Sequence, residues 1–250
     1  MVPVWRAAGL VLGLIFGAAA PAAAPEVPGA DQIVTRTLPN GMKLVVWPDK
    51  DIPNVAMYTW YRVGSRNERP GITGISHFFE HMMFNGTKTR APGEFDRIME
   101  GSGGSNNAYT SSDVTVYQNW FPASVTSLIF DLESDRMRNL DFDAGKVESE
   151  RGVVFSERRS SVDNDNFGTL LEQMQATAFV AHPYQIPIIG WPSDIEGWKV
   201  ADLQDYYHQY YAPNNAVMFI VGDVDPEAVF KLADQYLAGI PAQPAPPAVT

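Results

Sequence analysis

The sequence predicts an α+β domain, with helices packed on a largely antiparallel sheet. Two observations carry this prediction. Short β-branched and aromatic runs are joined by hairpin-type turns, and segments of helical spacing stand in blocks beside them. With 45% hydrophobic residues and 12% aromatics, the chain can bury a sizeable core.

Taken in order, the first 24 residues read as a secretory signal peptide. One positive charge lies within residues 1–6, an apolar stretch covers 7–20, and an Ala-rich run ends at Ala24. The protein is therefore expected to be exported, to a periplasm or outside the cell. The apolar stretch is too short and too rich in Ala and Gly for a spanning helix, so no stable membrane insertion is expected after cleavage.

Strands follow over 33–37, 43–47 and 55–62, with Asn40-Gly41 as the tight turn between the first two. A helix then begins near Ile75. Thr73 and Ser76 offer N-cap hydroxyls, Asn85-Gly86 reads as its stop, and Ile75, Phe78, Phe79 and Met82 supply its buried face. A short helix over 92–100 and a Gly-rich turn over 101–105 precede a hairpin arm at Asn107 and a strand over 114–121. Helices are expected over 124–139, 144–164, 169–180 and 203–211. The strand over 216–221 leads into a last helix over 226–237, with Asp225 as N-cap and Pro226 in its first position. The domain thus covers residues 31–240, and residues 241–250 form a Pro/Ala-rich linker.

Composition narrows the chemistry. The chain has no cysteine, which excludes disulfides, thiol catalysis and zinc-thiolate clusters. A formal charge of −11 without any basic run argues against nucleic acid as a partner.

Four histidines occur, and two fall in His77-Phe78-Phe79-Glu80-His81, the inverted zinc-peptidase pattern H-x-x-E-H. On a helix, positions four apart share a face, so both imidazoles can reach one ion while Glu80 faces it as a base. A core helix with two incidental histidines fits the same letters. A catalytic zinc also needs a third protein ligand. Glu150 and Glu157 stand seven residues apart on one face of the helix over 144–164, beside Val147 and Val154. Burying two carboxylates there is costly unless they meet a cation. The same spacing also fits two solvated charges paired with Arg151, Arg158 or Arg159.

The run Val63-Gly64-Ser65-Arg66-Asn67-Glu68, with Thr73-Gly74-Ile75-Ser76-His77-Phe78-Phe79-Glu80-His81-Met82-Met83-Phe84-Asn85-Gly86-Thr87, resembles the signature of the pitrilysin, insulin-degrading-enzyme and mitochondrial-processing-peptidase family. In that family the third ligand is a glutamate about 75 residues beyond the second histidine, and 75 residues separate His81 from Glu157. The resemblance therefore implies Zn²⁺ held by His77, His81 and Glu157, with Glu80 as catalytic base and Glu150 as the carboxylate that supports the ligands. Asn107-Ala108-Tyr109-Thr110, followed by Asp113 to Tyr117, is similar to the family's active-site edge strand. By that resemblance Asn107, Ala108 and Tyr109 bind an extended peptide substrate.

The likeness covers residues 33–240 and extends to His182-Pro183-Tyr184 and residues 206–215, which look structural. His182 and His208 are accordingly not expected as ligands. By resemblance, the fold is one catalytic half of a clamshell metallopeptidase whose second, similarly folded half is another chain or a second copy. The implied activity is endopeptidase cleavage of short or unfolded peptides. A non-catalytic assembly or peptide-binding subunit is the alternative, and Mn²⁺ or Co²⁺ also suits two imidazoles and a carboxylate.

Overall fold

The computed structural model describes residues 27–249. The chain divides into two units, the first ending at Asp31 and the second beginning at Gln32. Residues 27–31 lead into a 3-10 turn, Ala30–Gln32. The signal peptide expected over 1–24 lies outside the described residues.

Six strands form one sheet in the second unit: β1 (Val34–Thr37), β2 (Lys43–Pro48), β3 (Asn54–Tyr61), β4 (Ser105–Thr110), β5 (Thr115–Pro122) and β6 (Ala216–Gly222). Their order is β1-β2-β6-β3-β5-β4. All neighbours are antiparallel except β2 and β6, which run parallel with Leu44 opposite Met218. The last strand therefore inserts between two of the first three. The β1–β2 turn forms as expected: Gly41 takes a positive φ of 86°, and the Asn40 amide donates to the carbonyls of Leu237 and Ile240 at 2.8 and 2.9 Å.

Strict alternation on β3 sends Val55, Met57, Thr59 and Tyr61 into the core. Against them pack residues from the helices α1 (Ile75–Met82), α2 (Glu94–Gly101), α3 (Thr126–Asn139), α4 (Ala144–Arg158), α7 (Val200–Tyr210) and α8 (Pro226–Tyr236), which join one hydrophobic cluster. Two further helices, α5 (Asn166–Ala178) and α6 (Pro192–Gly197), complete the chain. Ile75, Phe78, Phe79 and Met82 of α1 are fully buried, as its periodicity predicts.

One polar group crosses this core. Glu133 of α3 accepts from Thr59 Oγ1 at 2.9 Å and Asn119 Nδ2 at 2.7 Å and pairs with Arg136. The Arg136 guanidinium lies 4.5 Å from the Tyr117 ring centre and 4.7 Å from that of Phe95. The group is almost wholly out of water and ties α3 to β3 and β5.

Two local expectations differ from the structure. Thr73 and Ser76 do not cap α1. Its N-cap is Gly74 at φ 83°, while Thr73 Oγ1 turns to Asp194 and Ser76 Oγ to the Tyr206 hydroxyl. The helix expected over 144–164 ends its α-helical part at Arg158 and finishes as a π-helical turn, Arg159–Asp163. Ser160 and Ser161 there both donate to the Glu157 carbonyl, at 2.9 and 2.8 Å, competing with the backbone ladder. Residues 241–249 hold no regular element, yet Gln243 and Asn214 exchange two hydrogen bonds, so the Pro/Ala segment starts out tied to the domain.

Candidate metal centre

α1 and α4 pack against each other, and their contact brings three predicted donors together. His77 Nε2 lies 3.5 Å from Glu157 Oε1, and His81 Nε2 lies 3.3 Å from Glu157 Oε2. All three donor atoms fall within 4.8 Å of one another. Two ligands about 2.0–2.1 Å from a tetrahedral zinc stand roughly 3.3 Å apart, so the two histidine-carboxylate separations fit one ion between them. The donor chemistry, two imidazole nitrogens and a carboxylate, fits as well.

The other ring nitrogen of His81 is occupied. Its Nδ1 meets Glu150 Oε1 at 2.7 Å, and the second oxygen of Glu150 accepts from the Asn85 amide. A carboxylate on Nδ1 fixes the tautomer that leaves Nε2 free for a metal. Asn85, read from sequence as part of a helix stop and of the resembling run, thus fixes the carboxylate that meets His81. His77 Nδ1 is buried without a hydrogen-bond partner.

The electrostatics describe a site made for positive charge. Hydrogen bonds from His77, then His81, hold the Glu157 carboxyl far below the usual carboxylate range. Burial pushes Glu150 up, but its bonds to His81 and Asn85 outweigh this and leave it lowered. Burial also depresses His81, while Glu150 and Glu157 together raise it to about 9.

Arg151 and Arg158 do not neutralise these glutamates. Arg151 bonds Glu148 and the carbonyls of Ile195 and Trp198, and Arg158 is held by Glu172 and the Gly190 carbonyl. The two glutamates meet histidines instead, Glu150 at His81 and Glu157 at both His77 and His81.

Glu80, one turn along α1, opens with His77 and Glu157 onto a cavity of about 380 Å³. Tyr109 and Thr110 of β4 form one wall, and Leu171 of α5 with Pro187, Ile188 and Ile189 forms another. β4 is an edge of the sheet. Tyr109 reaches the cavity; Asn107 and Ala108 lie further along the edge, where Asn107 Oδ1 accepts the Ala108 N–H at 2.9 Å. His182 and His208 stay away from the donors: His182 accepts the Tyr184 N–H, and His208 lies with Asp141 and Asp143 around a different cavity. A larger cavity, about 500 Å³, lies between Arg66, Glu68, Tyr206 and residues 247–249 and holds none of the predicted donors.

An H-x-x-E-H helix meeting a distant carboxylate beside an α+β sheet has the arrangement of the inverted zinc-peptidase class. The chain belongs to the insulinase family, peptidase family M16, whose profile matches residues 44–191; a second profile, the M16 inactive domain, matches residues 197–250. The chain is 38% identical over 207 residues to the zinc protease PqqE of Helicobacter pylori, covering 82% of this chain and 46% of that one. Among solved structures it superposes on a Helicobacter pylori protease with a TM-score of 0.85 at 35% identity, over 87% of this chain and 53% of that one. It also superposes on the first half of the periplasmic protease PqqL from Escherichia coli, with a TM-score of 0.80 at 28% identity, over 90% of this chain and 49% of that one. The chain spans about half the length of the curated relatives it matches. No helix among the described residues is long and apolar enough to cross a membrane.

Proposed function

We propose that this chain is the catalytic half of an exported zinc endopeptidase acting on short or unfolded peptides. The observation that supports it best is the convergence of His77, His81 and Glu157 beside Glu80, in a cavity bounded by a free sheet edge. His77, His81 and Glu157 would hold the ion, and Glu150 would keep His81 in its donor tautomer. Zinc, when bound, polarises the scissile carbonyl and acidifies the attacking water. Glu80 takes the proton from that water and returns it to the leaving amine.

Asn107, Ala108 and Tyr109 present the backbone of β4 to the substrate, which must be extended to add as a further strand. Folded chains have few such segments free. The complete enzyme closes when a second, similarly folded half covers the cavity, which excludes water and strengthens the electrostatics within it.

The test is hydrolysis of an unstructured quenched-fluorescent peptide library by the zinc-loaded chain, with Glu80→Gln beside it. Turnover should fall by roughly 10²–10⁴-fold in the variant, with zinc content unchanged. Equal turnover by the two proteins would defeat the assignment of Glu80.

A further inference from the structure

Glu68 closes the Val63-Glu68 run of the sequence and has no place among the metal donors, yet it controls the helix that carries two of them. α1 is eight residues long and begins at Ile75, and its N-cap, Gly74, has no side chain to cap it. The first N–H groups of a helix need acceptors from outside it. Both oxygens of Glu68 provide them: Oε2 accepts the Gly74 N–H at 2.7 Å and Oε1 accepts the Ser76 N–H at 2.8 Å. The side chain comes from the loop after β3 and the residue is only 7% exposed. Burial pushes its carboxyl up to about 8, against the pull of the two N–H donors.

The chain just before α1 is gripped by a second carboxylate. Asp194 Oδ2, in α6, accepts the Gly71 and Thr73 N–H groups at 2.9 and 3.2 Å and the Thr73 hydroxyl at 2.8 Å. Backbones meet so closely at Gly74 that an added Cβ would stand 2.4 Å from the Ile189 carbonyl oxygen. Residue 77, the first donor, directly follows the amide that Glu68 holds. A metal site tolerates about 0.5 Å of misplacement in its donors, so a slip of this first turn would be felt at the ion.

We propose that Glu68 is a positioning residue of the metal centre: its two-pronged grip on Gly74 and Ser76 sets the register of α1 so that His77 and His81 meet Glu157. The consequence for catalysis rests on the zinc-peptidase reading; the grip on α1 does not. Glu68→Gln keeps the size of the side chain but turns an NH₂ toward one of the two N–H donors.

The experiment compares the full chain with Glu68→Gln and with Val229→Ala, a core truncation in α8 that lowers stability away from the site. Zinc affinity is read by chelator competition and amide hydrogen exchange by mass spectrometry on the metal-free proteins. Glu68→Gln should lose at least about tenfold in zinc affinity and exchange faster over residues 74–78, while Val229→Ala should keep the parent values for both. Unchanged affinity and exchange in Glu68→Gln, or an equal loss in Val229→Ala at a matched fall in Tm, would overturn the proposal. If the parent chain binds no zinc, the zinc-peptidase reading fails, and exchange alone still decides whether Glu68 holds α1. If Glu68→Gln does not fold, Glu68→Asp takes its place, its shorter reach loosening the bonds to the Gly74 and Ser76 N–H groups; faster exchange over 74–78 is expected, and an unchanged rate contradicts the grip.

Discussion

His81 is held at both ring nitrogens, by Glu150 on Nδ1 and by Glu157 on Nε2. In the metal-free chain its folded-state pKa, about 9, lies above the ordinary 6.5. A raised histidine stabilises the fold fully below its unfolded value and loses that contribution as pH climbs to the folded one. The Tm of the chelator-treated protein should therefore fall between pH 6.5 and about 9, and Glu68, raised by burial from 4.5 to about 8, adds a loss that begins lower and is complete by about pH 8. Zinc needs the neutral imidazole, so its affinity should rise across the same window as binding releases a proton. Glu150→Ala should flatten the fall in Tm and weaken zinc binding by roughly 10–100-fold; thermal melts and zinc titrations across pH check both. At this scale the sequence is readable where proximity follows from spacing, as for His77 and His81, four residues apart on one helix with Glu80 between them. Asn85 and Glu68 were not readable as parts of the centre, because their partners lie 65 residues away in one case and on a backbone amide in the other.

At the scale of elements, α1 can be short because neighbours hold it from every side. Phe79 is wholly buried, and its ring stacks with Tyr206 and Tyr207 at 6.0 and 5.9 Å between centres. Phe79→Ala should cost about 3–5 kcal/mol in chemical denaturation, and a loss below about 1 kcal/mol would contradict this packing. Glu133→Ala should cost a similar amount, about 3–5 kcal/mol, since it leaves Arg136 buried and unpaired. Helix signals that are local were legible: Asp225 accepts the Ala228 N–H at 2.9 Å as the N-cap of α8, ahead of Pro226. The start of α1 was misread for the opposite reason. Thr73 and Ser76 look like caps in sequence, but a remote carboxylate and a positive-φ glycine supply the cap instead. α6 is too short, at six residues, to show a helical period in the sequence, although its Asp194 anchors the approach to α1.

At the scale of the molecule, the sheet places chemistry at an edge. β4 ends the strand order, and its Tyr109 and Thr110 face the cavity that His77 and Glu157 share. The antiparallel character was legible from hairpin turns, whereas the parallel β2–β6 pair was not, since residues about 174 apart in sequence meet there without any local signal. Because the chain spans about half of its curated relatives, a separately supplied second half should raise peptide turnover without altering zinc content. Unchanged turnover on titrating that half would argue that the cavity works uncovered.

The central claim is that three side chains from two helices make one zinc site. Zinc content of the purified full chain and of Glu157→Ala, measured by mass spectrometry of the metal after exhaustive dialysis, tests it most directly. About one ion per chain in the parent and a clear loss in the variant is the expected result; equal zinc in both, or none in the parent after loading, would contradict it.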